Sequence, residues 1–223
     1  MKIRNILWQV NGALFDTYPA LTYSFSKALN ELGFSVALNV IDGLVRQSLD
    51  AYVDTLSGRF KLSPDLLRQN FVESYRKISP ASQVPFPGVH DICQYIHHNG
   101  GLNLAFTDTN LESVSGLLEA HHFSGLIDDI LFLKKADAEQ TYPSLLCAAL
   151  ERHSLRRTEA LLISARSVDL QAGRLAGVRT CLFGRAERTS PDDLRVEKYS
   201  QLLDWLTGED ANSGLISVGA DKS

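Results

Sequence analysis

From residue 89 onward, short apolar runs alternate with helical patterns, and this rhythm restricts the chain to a parallel sheet with helices packed on it. A helix ends at Gly100-Gly101 and the run 102–106 follows. Thr107-Asp108-Thr109-Asn110 then introduces a helix with Leu111, Val114, Leu117 and Leu118 inward. The pair recurs as the run 130–133 with a helix through Leu145, Leu146, Ala149 and Leu150, and again as the run 160–164 with a Gly/Ala-rich helix ending at Gly177. A last run, 178–183, precedes a helix through Tyr199, Leu202, Leu203 and Leu206, with Trp205 beside it. One further run stands apart, near the N-terminus. Residues 6–10 form a buried-strand pattern, and the Asn11-Gly12 pair behind it marks a turn.

Between these two parts the pattern is helical throughout. Leu21, Phe25, Ala28, Leu29 and Leu32 share one face, and Gly33 suits the position just past a helix end. At Ser63-Pro64-Asp65 a helix starts, with Ser63 as cap, Pro64 in the first turn, and Leu67, Phe71 and Tyr75 recurring every four residues. Nothing from residue 21 to 79 reads as a core strand. The expected organisation is therefore an α/β core of residues 1–17 and 86–207, interrupted by an all-helical insertion, 18–85, whose Pro-rich end leads back to the core. After Gly208 the residues are small, polar or isolated apolars, and the tail 208–223 is expected to stay disordered.

Composition narrows the function classes. A chain of 223 residues, 44% hydrophobic and 22% charged, can bury one good core and a small second one. Its net charge of -4 supplies no basic field, and no Lys/Arg cluster alternates with aromatics, so nucleic acid is not expected as a partner. No apolar run reaches membrane-spanning length, and residues 1–5 lack the apolar stretch of a signal peptide, which points to no membrane partner and a cytoplasmic location. Cys93, Cys147 and Cys181 are widely separated, odd in number and without metal-ligand spacing, as suits reduced core thiols.

The stretch Gln9-Val10-Asn11-Gly12-Ala13-Leu14-Phe15-Asp16-Thr17 resembles the first motif, DxDGTLxDT, of the haloacid dehalogenase superfamily of phosphatases. Gly12, Leu14, Asp16 and Thr17 are in place, whereas Gln9 and Asn11 stand where the motif has its two leading aspartates. Phe86-Pro87-Gly88-Val89 looks like the start of the family's core, and Leu104-Ala105-Phe106-Thr107 like its second motif. Gln140-Thr141-Tyr142-Pro143 occupies the third, KPxP, with Gln140 at the lysine position and Lys134 and Lys135 a few residues upstream. Ser164-Ala165-Arg166-Ser167-Val168-Asp169, with Ile163, Ala172, Gly173, Ala176 and Gly177, is similar to the fourth, GDSxxD, whose first acid is here Ala165. The nearest group in appearance is that of phosphoglycolate phosphatase and β-phosphoglucomutase. The resemblance implies a Rossmannoid parallel core with its first strand central and a helical cap between the first and second motifs.

It also implies a chemistry that these residues do not supply. The family's first aspartate attacks phosphorus, and Gln9 offers a neutral amide instead. Its second exchanges a proton with the leaving oxygen and with water, which Asn11 cannot do. Mg²⁺ is the family cofactor, but of the positions that would hold it (Gln9, Asn11, Ala165 and Asp169) only Asp169 is anionic, so no metal is expected. Gln140 removes the lysine charge as well. Because such groups act as a unit, loss of a nucleophile alone can cost on the order of 10⁶ in rate. The expectation is a catalytically impaired phosphatase relative that binds a phosphorylated small molecule, inorganic phosphate or a protein partner. Two alternatives stay open: an active phosphomonoester hydrolase with noncanonical groups, and a structural or interaction protein with a vestigial pocket.

Thr107, Asp108 and Arg166 are the candidate ligand contacts, and each has a plainer reading. Thr107 and Asp108 can simply end a strand and help cap the next helix. Asp169 can cap or orient its helix. Arg166 reads by default as a solvated loop arginine, and otherwise as positive charge offered to an anion where the family places its metal. Asp16 and Thr17 fit a structural turn, and Arg46 could face a substrate from the cap. His97, His98, His121 and His122 fall at helix ends, where the dipole accounts for them.

Overall fold

Asn5–Gln9 (β1) is buried at every position and lies third in the sheet that organises the molecule. The computed structural model describes residues 2–46, 49–109, 111–132, 141–184, 190–191 and 193–208. Beside β1 are Asn103–Thr107 (β2), Asp129–Phe132 (β3), Ala160–Ser164 (β4), Arg179–Phe183 (β5) and Leu194–Val196 (β6). Among the described residues these strands form one parallel sheet in the order β3-β2-β1-β4-β5-β6. Each apolar run of the sequence lands on a strand within a residue at either end, because strands covered on both faces have no polar side to interrupt them. β6 had no such signal. It is three residues long, with Leu194 partly covered and Arg195 exposed, and it is a strand because it pairs with β5 at the sheet's edge.

Alternate residues of β1 feed opposite layers, as strand geometry requires. Ile6 and Trp8 pack with Val89–His98 (α5), Leu111–Ala120 (α6) and Tyr199–Thr207 (α9), whereas Leu7 packs with Tyr142–Arg152 (α7) and Ser167–Leu175 (α8). Cys93 and Cys181 lie within the first layer as free thiols, and burial pushes both upward in pKa, so neither is a poised nucleophile. Gln9 is in register with Phe106, and Trp8 with Ile163, so the C-terminal ends of β2 and β4 flank that of β1. The chain order reverses direction here, which is where open α/β sheets leave a crevice.

Residues 18–75 build a third core of their own from Tyr18–Glu31 (α1), Leu38–Val45 (α2), Leu49–Phe60 (α3) and Pro64–Tyr75 (α4). Phe25 is its pivot, stacked on Phe71 with ring centroids 3.9 Å apart and meeting Tyr52 edge-on at 4.0 Å. The Ser63 hydroxyl accepts from the Leu66 N–H, and Gly33 takes the left-handed conformation two residues past the end of α1, just beyond the cap residue Leu32, as the sequence implied. Among the described residues there is no strand in this segment, and no helix anywhere among them is long and apolar enough to cross a membrane.

Gly12 fixes how this helical layer meets the sheet. It has φ +91°, and a Cβ there would fall 2.2 Å from the Tyr18 hydroxyl oxygen. Gly12→Ala is therefore expected to cost about 2 kcal/mol through backbone strain and displacement of Tyr18. An unchanged urea midpoint would contradict this account of the turn.

Candidate functional site

Gln9 ends β1 with only 1% of its surface exposed, and its side chain is held by the loop after β4. The Ala165 N–H donates to Gln9 Oε1 at 3.2 Å, which fixes the amide with its oxygen toward that loop. The Ser164 hydroxyl lies 2.9 Å from the same oxygen and 2.7 Å from Asp169 Oδ2, with one proton for two acceptors, and it accepts from the Arg166 N–H. Gln9 Nε2 points away from these groups and has no partner among the described residues. Asn11 is tied down at both ends of its amide: Oδ1 accepts from the Thr17 hydroxyl at 3.0 Å, and Nδ2 donates to Thr109 Oγ1 at 3.4 Å.

Arg166 corrects the solvated-loop reading. It is 6% exposed, and its guanidinium forks onto Asp169 through Nε (2.8 Å to Oδ2) and Nη2 (2.9 Å to Oδ1). Nη1 donates to Asp108 Oδ2 at 2.9 Å, and Nη2 also donates to the Tyr142 hydroxyl at 3.2 Å. Burial opposes the charge, but Asp108 and Asp169 outweigh it and hold the guanidinium's pKa well above its ordinary value. Asp169 is likewise not a helix cap. It sits in the first turn of α8, fully buried, and both of its oxygens are committed to Arg166 and Ser164. The signal in the sequence was weak because the second carboxylate, Asp108, is 58 positions away.

The other candidates sort unevenly. Thr107 is buried, and its hydroxyl is engaged with Thr109, accepting from the Thr109 N–H at 3.0 Å and lying 2.7 Å from its Oγ1. Thr109, which the sequence did not single out, lines the crevice in its place. Tyr142 and Tyr18 were also missed. Tyr18 donates to the Asn11 carbonyl at 3.4 Å, its hydroxyl is pushed up to about 12 by burial, and Arg46 lies over its ring at 4.2 Å while pairing with Asp42. Arg46 thus packs on the outer side of the layer that covers the site. Gln140 and residues 209–223 lie outside the described residues.

Tyr18, Leu21 and Val45 close over Gln9, Asn11, Asp108, Thr109 and Arg166, leaving a cavity of about 10 Å³. That is room for about one water molecule and less than a phosphoryl group fills. Among the described residues its charge is one cation against two carboxylates, which does not invite an anion. Nor do the residues fit Mg²⁺, which needs near-octahedral oxygen ligands and recruits carboxylates. Both oxygens of Asp169 already serve other donors, Gln9 Oε1 accepts a backbone N–H, and Ala165 has no ligand atom in its side chain. Among the described residues no group of three or more His, Cys, Asp and Glu is placed to hold a metal ion. Three of the four helix-end histidines have local partners instead: His97 Nε2 is 2.9 Å from Asp128, His98 Nδ1 is 2.8 Å from the Gln94 carbonyl, and His121 Nε2 is 3.1 Å from the Pro80 carbonyl.

Comparison with known proteins places this geometry. The family model described as haloacid dehalogenase-like hydrolase matches residues 6–183. A phosphoglycolate phosphatase of Aquifex aeolicus (strain VF5) is 26% identical over 190 residues, covering 81% of this chain and 84% of that protein. One from Vibrio vulnificus (strain YJ016) is 23% identical over 221 residues, 91% of this chain and 96% of the relative. Among solved structures, a predicted phosphoglycolate phosphatase from Haemophilus somnus 129pt superposes with a TM-score of 0.78 at 15% identity, covering 92% of this chain and 98% of the other. The likeness in fold extends over nearly the whole chain.

Proposed function

Because this chain belongs to the haloacid dehalogenase-like hydrolase family, we propose that it is a member that no longer hydrolyses phosphate esters and acts by binding rather than by turnover. The observation that carries this reading is Gln9: at the end of the central strand it presents a neutral amide, its oxygen already accepting from the Ala165 N–H. An amide in that state can neither attack phosphorus nor leave from it. Asn11, fixed by Thr17 and Thr109, cannot exchange a proton with a leaving group. The narrow crevice supports a protein partner over a phosphorylated small molecule, since Arg166, the cation lining it among the described residues, is already paired with Asp108 and Asp169.

The test is an assay of the unmodified protein with p-nitrophenyl phosphate and phosphoglycolate in millimolar Mg²⁺, alongside calorimetric titration with inorganic phosphate. Background hydrolysis and no binding heat are expected. Hydrolysis above background that disappears in Asp108→Asn would overturn the proposal and establish a working hydrolase with a relocated carboxylate, whereas saturable phosphate binding without hydrolysis would restore the phosphorylated-ligand form of the binding role.

A further inference from the structure

We infer that Arg166 is the crevice's built-in counter-cation: its guanidinium stands where a divalent ion would otherwise join Asp108 to Asp169, and it makes the closed core independent of metal. The inference rests on the proposed loss of metal-assisted hydrolysis but concerns a different property, what holds the site together. Asp169 has no exposed surface and the side chain of Asp108 is 12% exposed, so protein donors rather than water must solvate both carboxylates. The guanidinium supplies both with charge-assisted hydrogen bonds of 2.8 to 2.9 Å. Its planar fork matches Asp169 bidentately and still has an Nη1 donor for Asp108, a geometry that a lysine ammonium does not reproduce.

The same side chain joins three segments distant in sequence: the turn after β2 through Asp108, the first turn of α8 through Asp169, and the start of α7 through Tyr142. These are the loops at the C-terminal edge of the sheet, and a metal ion on the two carboxylates would hold the first two of them together. Without the guanidinium, two carboxylates would face one gap, with Ser164 Oγ and Gln9 Oε1 beside it. Such a gap is an oxygen-lined site for a hard cation, because like charges so placed take up either a proton or a metal. Arg166 and a divalent cation are thus alternative occupants of one position.

Thermal melts of the whole chain separate the possibilities, in EDTA and in millimolar Mg²⁺, Ca²⁺ or Mn²⁺ at matched ionic strength. The unmodified protein is expected to melt at the same temperature in all of them. Arg166→Ser should melt lower in EDTA by roughly 10 °C, and Mn²⁺ should raise its midpoint saturably. The response should vanish in Arg166→Ser/Asp169→Asn, and Arg166→Lys should melt between the parent and Arg166→Ser with no response to metal. If Arg166→Ser does not fold in EDTA, refolding with Mn²⁺ should recover it, and no recovery with any of the three ions overturns the inference. A saturable metal-dependent rise in the unmodified protein overturns it too, as does an Arg166→Ser variant indifferent to metal. Hydrolysis plays no part in these readouts, so a hydrolytic but metal-indifferent protein would sink the proposed function and leave this inference standing.

Discussion

The variant Q9D/N11D/A165D/R166S should hydrolyse p-nitrophenyl phosphate in millimolar Mg²⁺ at least about 10³-fold faster than the unmodified chain, whereas Q9D/N11D/A165D with Arg166 retained should stay near background. The three acids replace the groups whose loss removes nucleophile, proton carrier and metal ligand. They do not clear the site. With Arg166 in place, Asp169 keeps both oxygens bonded to protein donors, and the cavity keeps a volume of about 10 Å³. Removing the guanidinium frees Asp169 and Asp108 and opens the space a phosphoryl group and its metal need. A carboxylate at residue 165 would lie beside one at residue 9, since the Ala165 N–H already reaches the Gln9 side chain. These anions repel one another without a cation, so the assay and the purification both require Mg²⁺. Adding Gln140→Lys should raise the rate further through charge opposite the phosphate. Equal activity in the three- and four-site variants would show that Arg166 is no obstacle.

Asn103→Leu should be strongly destabilising, at about 3 kcal/mol, or roughly 9 °C in Tm. Asn103 is fully buried in β2, where Oδ1 accepts from Trp8 Nε1 at 3.0 Å and Nδ2 donates to the Cys93 carbonyl at 3.0 Å. It thereby fastens β1, β2 and α5 to one another. Leucine is close in size, so little packing is lost. What remains is an indole N–H without a partner in the dry interior, at about 1 to 3 kcal/mol, and the loss of a second bond to the Cys93 carbonyl, which keeps its helical partner. A melt indistinguishable from that of the parent protein would mean that water or a neighbouring group satisfies the indole.

The sheet was legible in the sequence because its strands are covered on both faces and so read as unbroken apolar runs, as the run 160–164 and β4 illustrate. β6 was not, since a short edge strand draws its conformation from a neighbour rather than from its own residues. At the site, the positions of Gln9, Asn11, Ala165 and Asp169 followed from motif spacing and do converge on one crevice. Their condition did not. Whether Arg166 meets water or a carboxylate depends on where β2 delivers Asp108, and whether the crevice admits a ligand depends on Tyr18, Leu21 and Val45 from the inserted helices. Such facts belong to tertiary packing, and no local pattern encodes them.

The central place of β1 also sets an order of events during synthesis. Its residues leave the ribosome before those of the other five strands, yet Trp8 pairs with Ile163, so one side of the strand has no neighbour until some 150 residues later. Meanwhile the inserted helices, whose contacts such as that between Phe25 and Phe71 span fewer than 50 positions, can condense on their own. Closing so long a loop is entropically slow, and an apolar strand with a bare edge is a template for pairing with another chain. The nascent protein therefore carries an apolar strand with a bare edge through most of its synthesis, and its dependence on chaperones should be concentrated in the interval before β4 emerges.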